Sequence, residues 1–539
     1  MSPAEPADER PLRILNVSPE VAPYAKMGGL GDMVGALTKA LDREGADVRT
    51  LCPLYGSIRR EADWTSGEDP LFVHLGYGQE DYARVWETRY PHSQAPMYFL
   101  EFNKYFQRPE IYTGPWGAHG DNGARFAFFS KAALELCRWL DWQPDVIHAH
   151  DWTTGLIPVF LNTSDLHTPL GRCASIFTIH NLQHQGIFPR EVLDWAGLPP
   201  EVFRPDDLES VGFANYLKGG LYNATKITTV SPHYAEEIKT PAYGCGLDSV
   251  VRFRAADLIG VLNGVDYETW NPATDPHLPA NYSREDLSGK AHCKRALQER
   301  LGLTVDPSVP VYGVVSRLYD QKGLDWLATI TPWIMAEMSV QIVVLGAGEP
   351  ALEANFQALA TRYPGRVGCF IGYSEALAHL VEAGSDFFVM PSRFEPCGLN
   401  QMYSLAYGTL PIVRATGGLV DTVRNYDEAT GEGTGFIFEQ PDERALYYTI
   451  GWACSTWYDR PAHYRQLQQR AMAEDFSWGR SAKRYLQIYQ WARDARLEGL
   501  GLIKKQVAAQ HERRVLKTMI QPKPDAVSET SVPPRAAAG

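Results

Sequence analysis

A chain of 539 residues is too long for one ordinary hydrophobic core, so two domains with some additional chain are the first expectation. Its 45% hydrophobic, 12% aromatic and 21% charged residues describe a soluble globular protein, and a formal net charge of −13 argues against sequence-blind binding of nucleic acid, which needs a basic surface. The eight cysteines stand singly without a C-x-x-C pair, the first ten residues are polar and acidic unlike a secretory signal, and no apolar run has the length of a bilayer span. A reducing, cytoplasmic setting is expected, without a disulfide framework, zinc knuckle or membrane anchor.

In chain order, short β-branched runs at residues 14–17, 48–52, 97–102, 146–148, 176–179, 227–230 and 258–262 read as strands. A second series follows at 311–315, 341–345, 367–371, 387–390 and 410–413, separated by helix-period segments at 324–330, 352–362, 375–383 and 399–407. Strand–helix alternation of this kind means parallel sheets covered on both faces, and two series mean an α/β protein of two doubly wound, Rossmann-like domains. The Pro-, Asp- and Asn-rich stretch 271–287 is the best boundary, giving an N-terminal domain at 11–270 and a C-terminal one at 290–475. A late helical block runs from residue 443 to about 520, broken at Pro461 and at Phe476-Ser477-Trp478. Residues 476–505 are expected to pack back on the N-terminal domain, and 521–539 to form a disordered Pro/Ala/Ser-rich tail.

Ligands of open α/β sheets bind beyond the carboxyl ends of the strands, so the strand-end loops are where chemistry is sought. The first reads Lys26-Met27-Gly28-Gly29-Leu30-Gly31-Asp32 and opens a helix; its glycines admit a ligand to free helix amides and Lys26 adds a charge, a pattern suited to phosphate. After the strand at 311–315, Arg317 and Lys322 offer a donor fork and a compact cation to a diphosphate, although two surface cations paired with Asp320 and Asp325 would read the same. The loop Glu395-Pro396-Cys397-Gly398-Leu399-Asn400 leads into another helix, with Glu395 either a helix-dipole partner or a group that holds sugar hydroxyls, and Cys397 a packing residue. Thr416-Gly417-Gly418 repeats the glycine-then-helix device.

His148-Ala149-His150-Asp151 and His180-Asn181 also end strands; His-x-His with an aspartate could ligate a metal, but no further ligand spacing supports it, and polar contacts to a sugar are the better reading. Gly346-Ala347-Gly348 resembles a dinucleotide fingerprint in outline, yet the next strand ends in Gly372-Tyr373 without the acid that holds a ribose, which demotes an oxidoreductase. Gly346 and Tyr373 are retained as candidate substrate contacts.

Taken together, the glycine loop, the His148–Asp151 and His180-Asn181 segments, Asn263-Gly264-Val265-Asp266, Ser316-Arg317 with Gln321-Lys322-Gly323, the Glu395–Leu399 loop and Thr416–Leu419 resemble, in order, the bacterial glycogen/starch synthase family of retaining glycosyltransferases, from about residue 14 to 489. The resemblance implies the GT-B architecture of two Rossmann-like domains facing across a cleft. It implies ADP-glucose (or UDP-glucose) as donor, glycogen or another α-1,4-glucan as acceptor, no cofactor and no metal; the absence of Asp-x-Asp agrees with the last. No nucleic acid or membrane partner is expected, and a homo-oligomer is compatible. Residue by residue, it implies that Lys26, Gly28, Gly29 and Asp32 approach the donor, Arg317 and Lys322 hold its diphosphate, and Glu395, Cys397, Gly398 and Leu399 line its sugar with Thr416, Gly417 and Gly418 nearby. Asp151, His180, Asn181 and Asn263 approach the reacting glucose from the other domain. Met27 and Asn400 depart from the family's commoner residues. Rival readings are another sugar-nucleotide transferase or a glucan phosphorylase of the same architecture, and a non-catalytic glucan- or nucleotide-binding regulator.

Overall fold

The computed structural model describes residues 10–114 and 117–520, with side chains as far as residue 501; the tail expected to be disordered lies outside the described residues. The strands of the first sheet that bear on the site are, in chain order, β1 (Arg13–Val17), β2 (Asp47–Pro53), β3 (Glu80–Arg89), β4 (Pro96–Glu101), β5 (Val146–His150), β6 (Ala174–Ile179), β7 (Lys226–Thr229) and β8 (Leu258–Gly260). They lie in the order β8-β7-β6-β5-β1-β2-β4-β3, parallel except for β3, which returns antiparallel beside β4. Every residue of β5 and β6 is buried, as a parallel strand covered on both faces requires.

The second sheet contains β9 (Val311–Val315), β10 (Gln341–Gly346), β11 (Val367–Ile371), β12 (Phe387–Met390), β13 (Leu410–Arg414) and β14 (Phe436–Phe438), all parallel, in the order β11-β10-β9-β12-β13-β14. Counted from its own first strand this is the 3-2-1-4-5-6 order of a dinucleotide-binding sheet. The parallel part of the first sheet follows the same rule. The strand order therefore reverses between β1 and β5 in one lobe and between β9 and β12 in the other, and each reversal leaves a crevice at the strand ends.

Two segments cross between the lobes side by side. The Val265 amide donates to the Phe476 carbonyl at 2.7 Å, and Val265 pairs with Ser477 in a parallel bridge. A Cβ on Gly264 would lie 2.7 Å from the Trp478 ring, so this position needs glycine. Beyond the first crossing, residues 271–287 pack on the second lobe: Tyr282 joins Cys293, Ala383 and Tyr407 in an apolar cluster. Beyond the second, helix Trp478–Ile520 returns to the first lobe, where Tyr485, Ile488, Tyr489 and Ala492 share an apolar cluster with Ile14 and Val146. Tyr489 bonds His148 Nδ1 at 2.8 Å, and Arg496 donates to the carbonyls of Leu161 and Gly171. No helix among the described residues is long and apolar enough to cross a membrane.

Candidate active site

The loop after β1 is shaped by a residue that the glycine pattern does not announce. Glu20, 4% exposed, accepts the amides of Met27 at 2.7 Å and Gly28 at 3.2 Å and the Tyr112 hydroxyl at 2.6 Å. Its carboxylate thus fixes the glycine loop ahead of helix Gly29–Arg43, whose face of Met33, Val34, Leu37 and Leu41 is buried. A Cβ on Gly28 would meet nothing within 4 Å, and one on Gly29 would touch Leu399 of the second lobe at 3.7 Å. Lys26 pairs with Asp32 at 2.8 Å. Burial works against the Lys26 charge, but Asp32, Tyr373 and Glu375 more than offset it, and the ammonium is held above its ordinary pKa. The glycine loop therefore faces the Tyr373 loop of the other lobe.

On the neighbouring strand end, Asp151 has φ 53° and ψ −174°, a conformation that side chains avoid and that persists only where surroundings impose it. The imposition is visible: Asp151 Oδ1 accepts the His180 amide at 2.7 Å. Burial raises the Asp151 carboxyl to about 7, with the amides of His180 and Asn181 opposing. His180 is driven down to about 3 by burial, so its ring is a neutral donor and acceptor near pH 7; Nε2 lies 3.0 Å from His150 Nδ1. His148, placed by sequence among polar groups facing a sugar, is fully buried and spends its two nitrogens on Tyr489 and Thr178, so that part of the expectation is corrected. His150 Nε2 and Asn263 Oδ1 are buried without a hydrogen-bond partner among the described residues. Asn181 Oδ1 accepts the Gln183 amide at 3.0 Å, which turns the loop.

The second lobe presents its loops opposite. Lys322 Nζ lies 2.6 Å from Glu395 Oε2, which also accepts the Ser392 hydroxyl at 2.9 Å. Glu395 is 6% exposed, so its charge is balanced by Lys322 within the fold. Arg317 is exposed, and its charge adds to burial in lowering the pKa of His184 on the first lobe, which places the guanidinium at the seam. Cys397, buried and bonded to the Asn263 backbone, has its thiol pushed up to about 12 by burial and is no nucleophile. Gly398 has φ 72°. Gly417 has φ 45°, and a Cβ there would lie 1.9 Å from the Glu395 carbonyl; one on Gly418 would lie 2.2 Å from that of Cys397. The Thr416 hydroxyl and the Gly417 amide both donate to Glu237 of the first lobe, at 2.8 and 3.1 Å. Gly346 is buried under the Ser316 carbonyl, 1.9 Å from where its Cβ would be, while Tyr373 is 80% exposed. Asn400 donates to the Val315 carbonyl at 2.6 Å.

The seam thus gathers Lys26, Asp32 and Tyr373; Gly29 and Leu399; Asn263 and Cys397; Lys322 and Glu395; and Thr416 with Gly417 on Glu237. Besides Glu20, Tyr112 and Glu237, sequence reasoning missed Ser231, whose hydroxyl donates to the Pro396 carbonyl at 2.7 Å across the seam, and His233, whose amide donates to Asp421 at 2.8 Å.

Comparison with known proteins agrees with this arrangement. The family described as "Starch synthase catalytic domain" matches residues 13–253, and "Glycosyl transferases group 1" matches 299–471. "Glycogen synthase 1" of Geobacter sulfurreducens is 50% identical over 493 residues, covering 91% of this chain and 98% of its own. The glycogen synthase of Treponema denticola is 44% identical over 485 residues, covering 89% and 98%. Among solved structures, the catalytic domain of starch synthase IV from Arabidopsis thaliana, bound to ADP and acarbose, superposes with a TM-score of 0.83 at 34% identity, covering 90% of this chain and 100% of that one. A sucrose-phosphate synthase from Thermosynechococcus elongatus, at 18% identity and TM-score 0.56, shares the fold. With two sheets of dinucleotide-binding order, a polar seam between them and relatives this similar over nearly their whole length, the chain belongs to the glycogen and starch synthase family of retaining glycosyltransferases.

Proposed function

We propose that this protein is a glycogen synthase that transfers glucose from ADP-glucose to the non-reducing end of an α-1,4-glucan with retention of configuration. The observation that carries the reading is the facing of two strand-order reversals across one seam, each with a lysine just ahead of a glycine-entered helix, Lys26 in the first lobe and Lys322 in the second. Cleavage of the glucose–phosphate bond builds negative charge on the diphosphate and positive charge on the sugar. Arg317, Lys322, Lys26 and the amides at the start of helix Gly29–Arg43 are the groups suited to the leaving diphosphate. A unit charge pair at 4 Å contributes about 4 kcal/mol at an effective dielectric near 20, so two such cations supply a substantial part of the barrier reduction. Glu395 orients Lys322 before the donor arrives. Asp151, the neutral His180 and the Asn181 and Asn263 amides hold the sugar hydroxyls from the first lobe, and the acceptor hydroxyl attacks from the face the diphosphate leaves, giving its proton to the departing phosphate.

Transfer of radiolabelled glucose to glycogen, measured with ADP-glucose and with UDP-glucose, tests this. ADP-glucose is expected to be the better donor by at least about tenfold, the range that one well-placed discriminating contact supplies. Preference for UDP-glucose would overturn the donor assignment, and no transfer from either by folded protein would overturn the activity.

The ionisation of Asp151 gives a pH test. Its carboxyl binds a proton more tightly folded (about 7) than unfolded (near 3.8), so its contribution to stability is greatest below 3.8 and is lost as pH rises toward 7. Chemical denaturation at pH 5 and pH 8 should show wild-type protein losing stability over this window relative to Asp151→Asn. If the ionised Asp151 serves transfer, kcat is expected to rise with pH through about 7 in wild type and not in the variant; identical profiles would remove Asp151 from this role.

A further inference from the structure

A third cluster of ionisable side chains lies just outside the seam, where the connector between the lobes meets the second lobe. His379, on helix Glu375–Gly384, is 1% exposed. Its Nδ1 lies 2.7 Å from Asp275 Oδ2 in the connector, and the same carboxylate accepts the Tyr407 hydroxyl at 2.6 Å. A carboxylate only accepts, so Nδ1 carries a proton towards Asp275 and Nε2 is the ring nitrogen left to take a ligand. That Nε2 is buried and has no hydrogen-bond partner among the described residues. A buried polar atom left without a partner is costly, and such an exception is a place where a water or an ion is sought. Trp270 stacks on the imidazole at 3.9 Å between ring centroids and 6° between planes, which fixes its orientation.

Two exposed groups meet His379: His277 of the connector and Glu375 at the start of the same helix. One ligand atom from each of the three lies within 4.8 Å of the others. We propose that His277, Glu375 and His379 form a binding site for a divalent zinc-class cation at the junction of the connector and the second lobe. Two imidazoles and a carboxylate are the donor set of a three-ligand zinc site with an open fourth position, and the nitrogen ligands disfavour magnesium and calcium. Asp275 supplies the outer carboxylate that metal-ligating histidines ordinarily require. Bonds of about 2.0–2.2 Å to a tetrahedral ion hold ligand atoms about 3.4 Å apart. The remaining approach comes from rotation of the exposed His277 and Glu375 side chains, while His379 stays fixed. A bound ion would tie the connector to helix Glu375–Gly384 and offset the Glu375 charge that Lys26 senses across the seam.

Cobalt(II) is the probe, because tetrahedral coordination gives it visible absorption bands that hexahydrated cobalt lacks. Untagged full-length protein, stripped with chelator, is expected to bind one cobalt(II) with those bands and to lose them on addition of one equivalent of zinc. His277→Ala, a change at an exposed side chain, should weaken binding by at least about tenfold while leaving the folded protein and its glucose transfer intact, and Glu375→Gln should weaken it similarly. Absence of tetrahedral bands in wild-type protein, or equal cobalt affinity in wild type and His277→Ala, would overturn the proposal; the outcome is independent of whether the protein proves to be a synthase.

Discussion

Replacing Lys322 by alanine is expected to lower kcat for glucose transfer by about 10²–10³-fold, the loss seen when one preorganised donor to a developing charge is removed. The structure adds a second consequence that the exposed-cation reading does not have. Lys322 is the ion-pair partner, at 2.6 Å, of a Glu395 that is 6% exposed, so its removal leaves a buried carboxylate balanced only by the Ser392 hydroxyl. Breaking one side of a buried pair costs about 3–5 kcal/mol at full burial; with the Lys322 side chain at 18% exposure the expected loss is about 1–3 kcal/mol. The two effects separate in Lys322→Ala with Glu395→Gln: urea denaturation should show stability largely recovered, and the transfer assay should show no recovery. Near-normal turnover in folded Lys322→Ala protein would refute the catalytic role, and unchanged stability would refute the pairing.

Gly417→Ala should be nearly as damaging without removing any functional group. A Cβ there would stand 1.9 Å from the Glu395 carbonyl, and φ is 45°, so the substitution meets both a clash with backbone and the left-handed penalty of about 1–2 kcal/mol. The loop must retreat from Glu395 and loosen the Gly417 amide and Thr416 hydroxyl from Glu237. Misplacement of catalytic groups by about 1 Å costs about 10²-fold in rate, which is the loss expected in the transfer assay. Gly28→Ala is the control for stability: its backbone is extended at φ −167° and the added methyl meets nothing within 4 Å, so its thermal midpoint should match wild type. A Gly417→Ala protein within threefold of wild-type kcat would show that the close fit of these two loops is dispensable.

The parallel strands were readable because burial on both faces leaves continuous β-branched and apolar runs; β9, β11 and β12 begin and end where those runs do. The antiparallel strand β3 was not, since its sequence alternates between charged residues and Ala83 or Val85, with only the latter two buried. A search for unbroken apolar runs passes over such a pattern. Among site residues, those whose signal is local, such as glycines before a helix or cations after a strand, could be found from spacing. Glu237 could not, because its partner Thr416 is 179 residues away and nothing near it in sequence marks the pairing. Glu20 did carry a signal: an acid between Pro19 and Val21, three residues past a buried strand, has to find donors to accept from. Thr416 was placed near the donor sugar with Gly417 and Gly418, and in the fold its hydroxyl donates to Glu237.

The return of the last helix to the first lobe has a consequence for synthesis. Tyr485, Ile488, Tyr489 and Ala492 complete the apolar interior around Ile14 and Val146, and His148 waits for Tyr489. Between the end of β8 and Ala492 the ribosome adds about 230 residues, which at about 5–20 residues per second takes about 10–50 s. Throughout that interval the nascent first half carries an uncovered apolar groove, while the second lobe is still being made. Vectorial folding therefore cannot finish the domain that emerges first, and chaperone demand for this chain should fall only when its carboxyl-terminal segment leaves the exit tunnel.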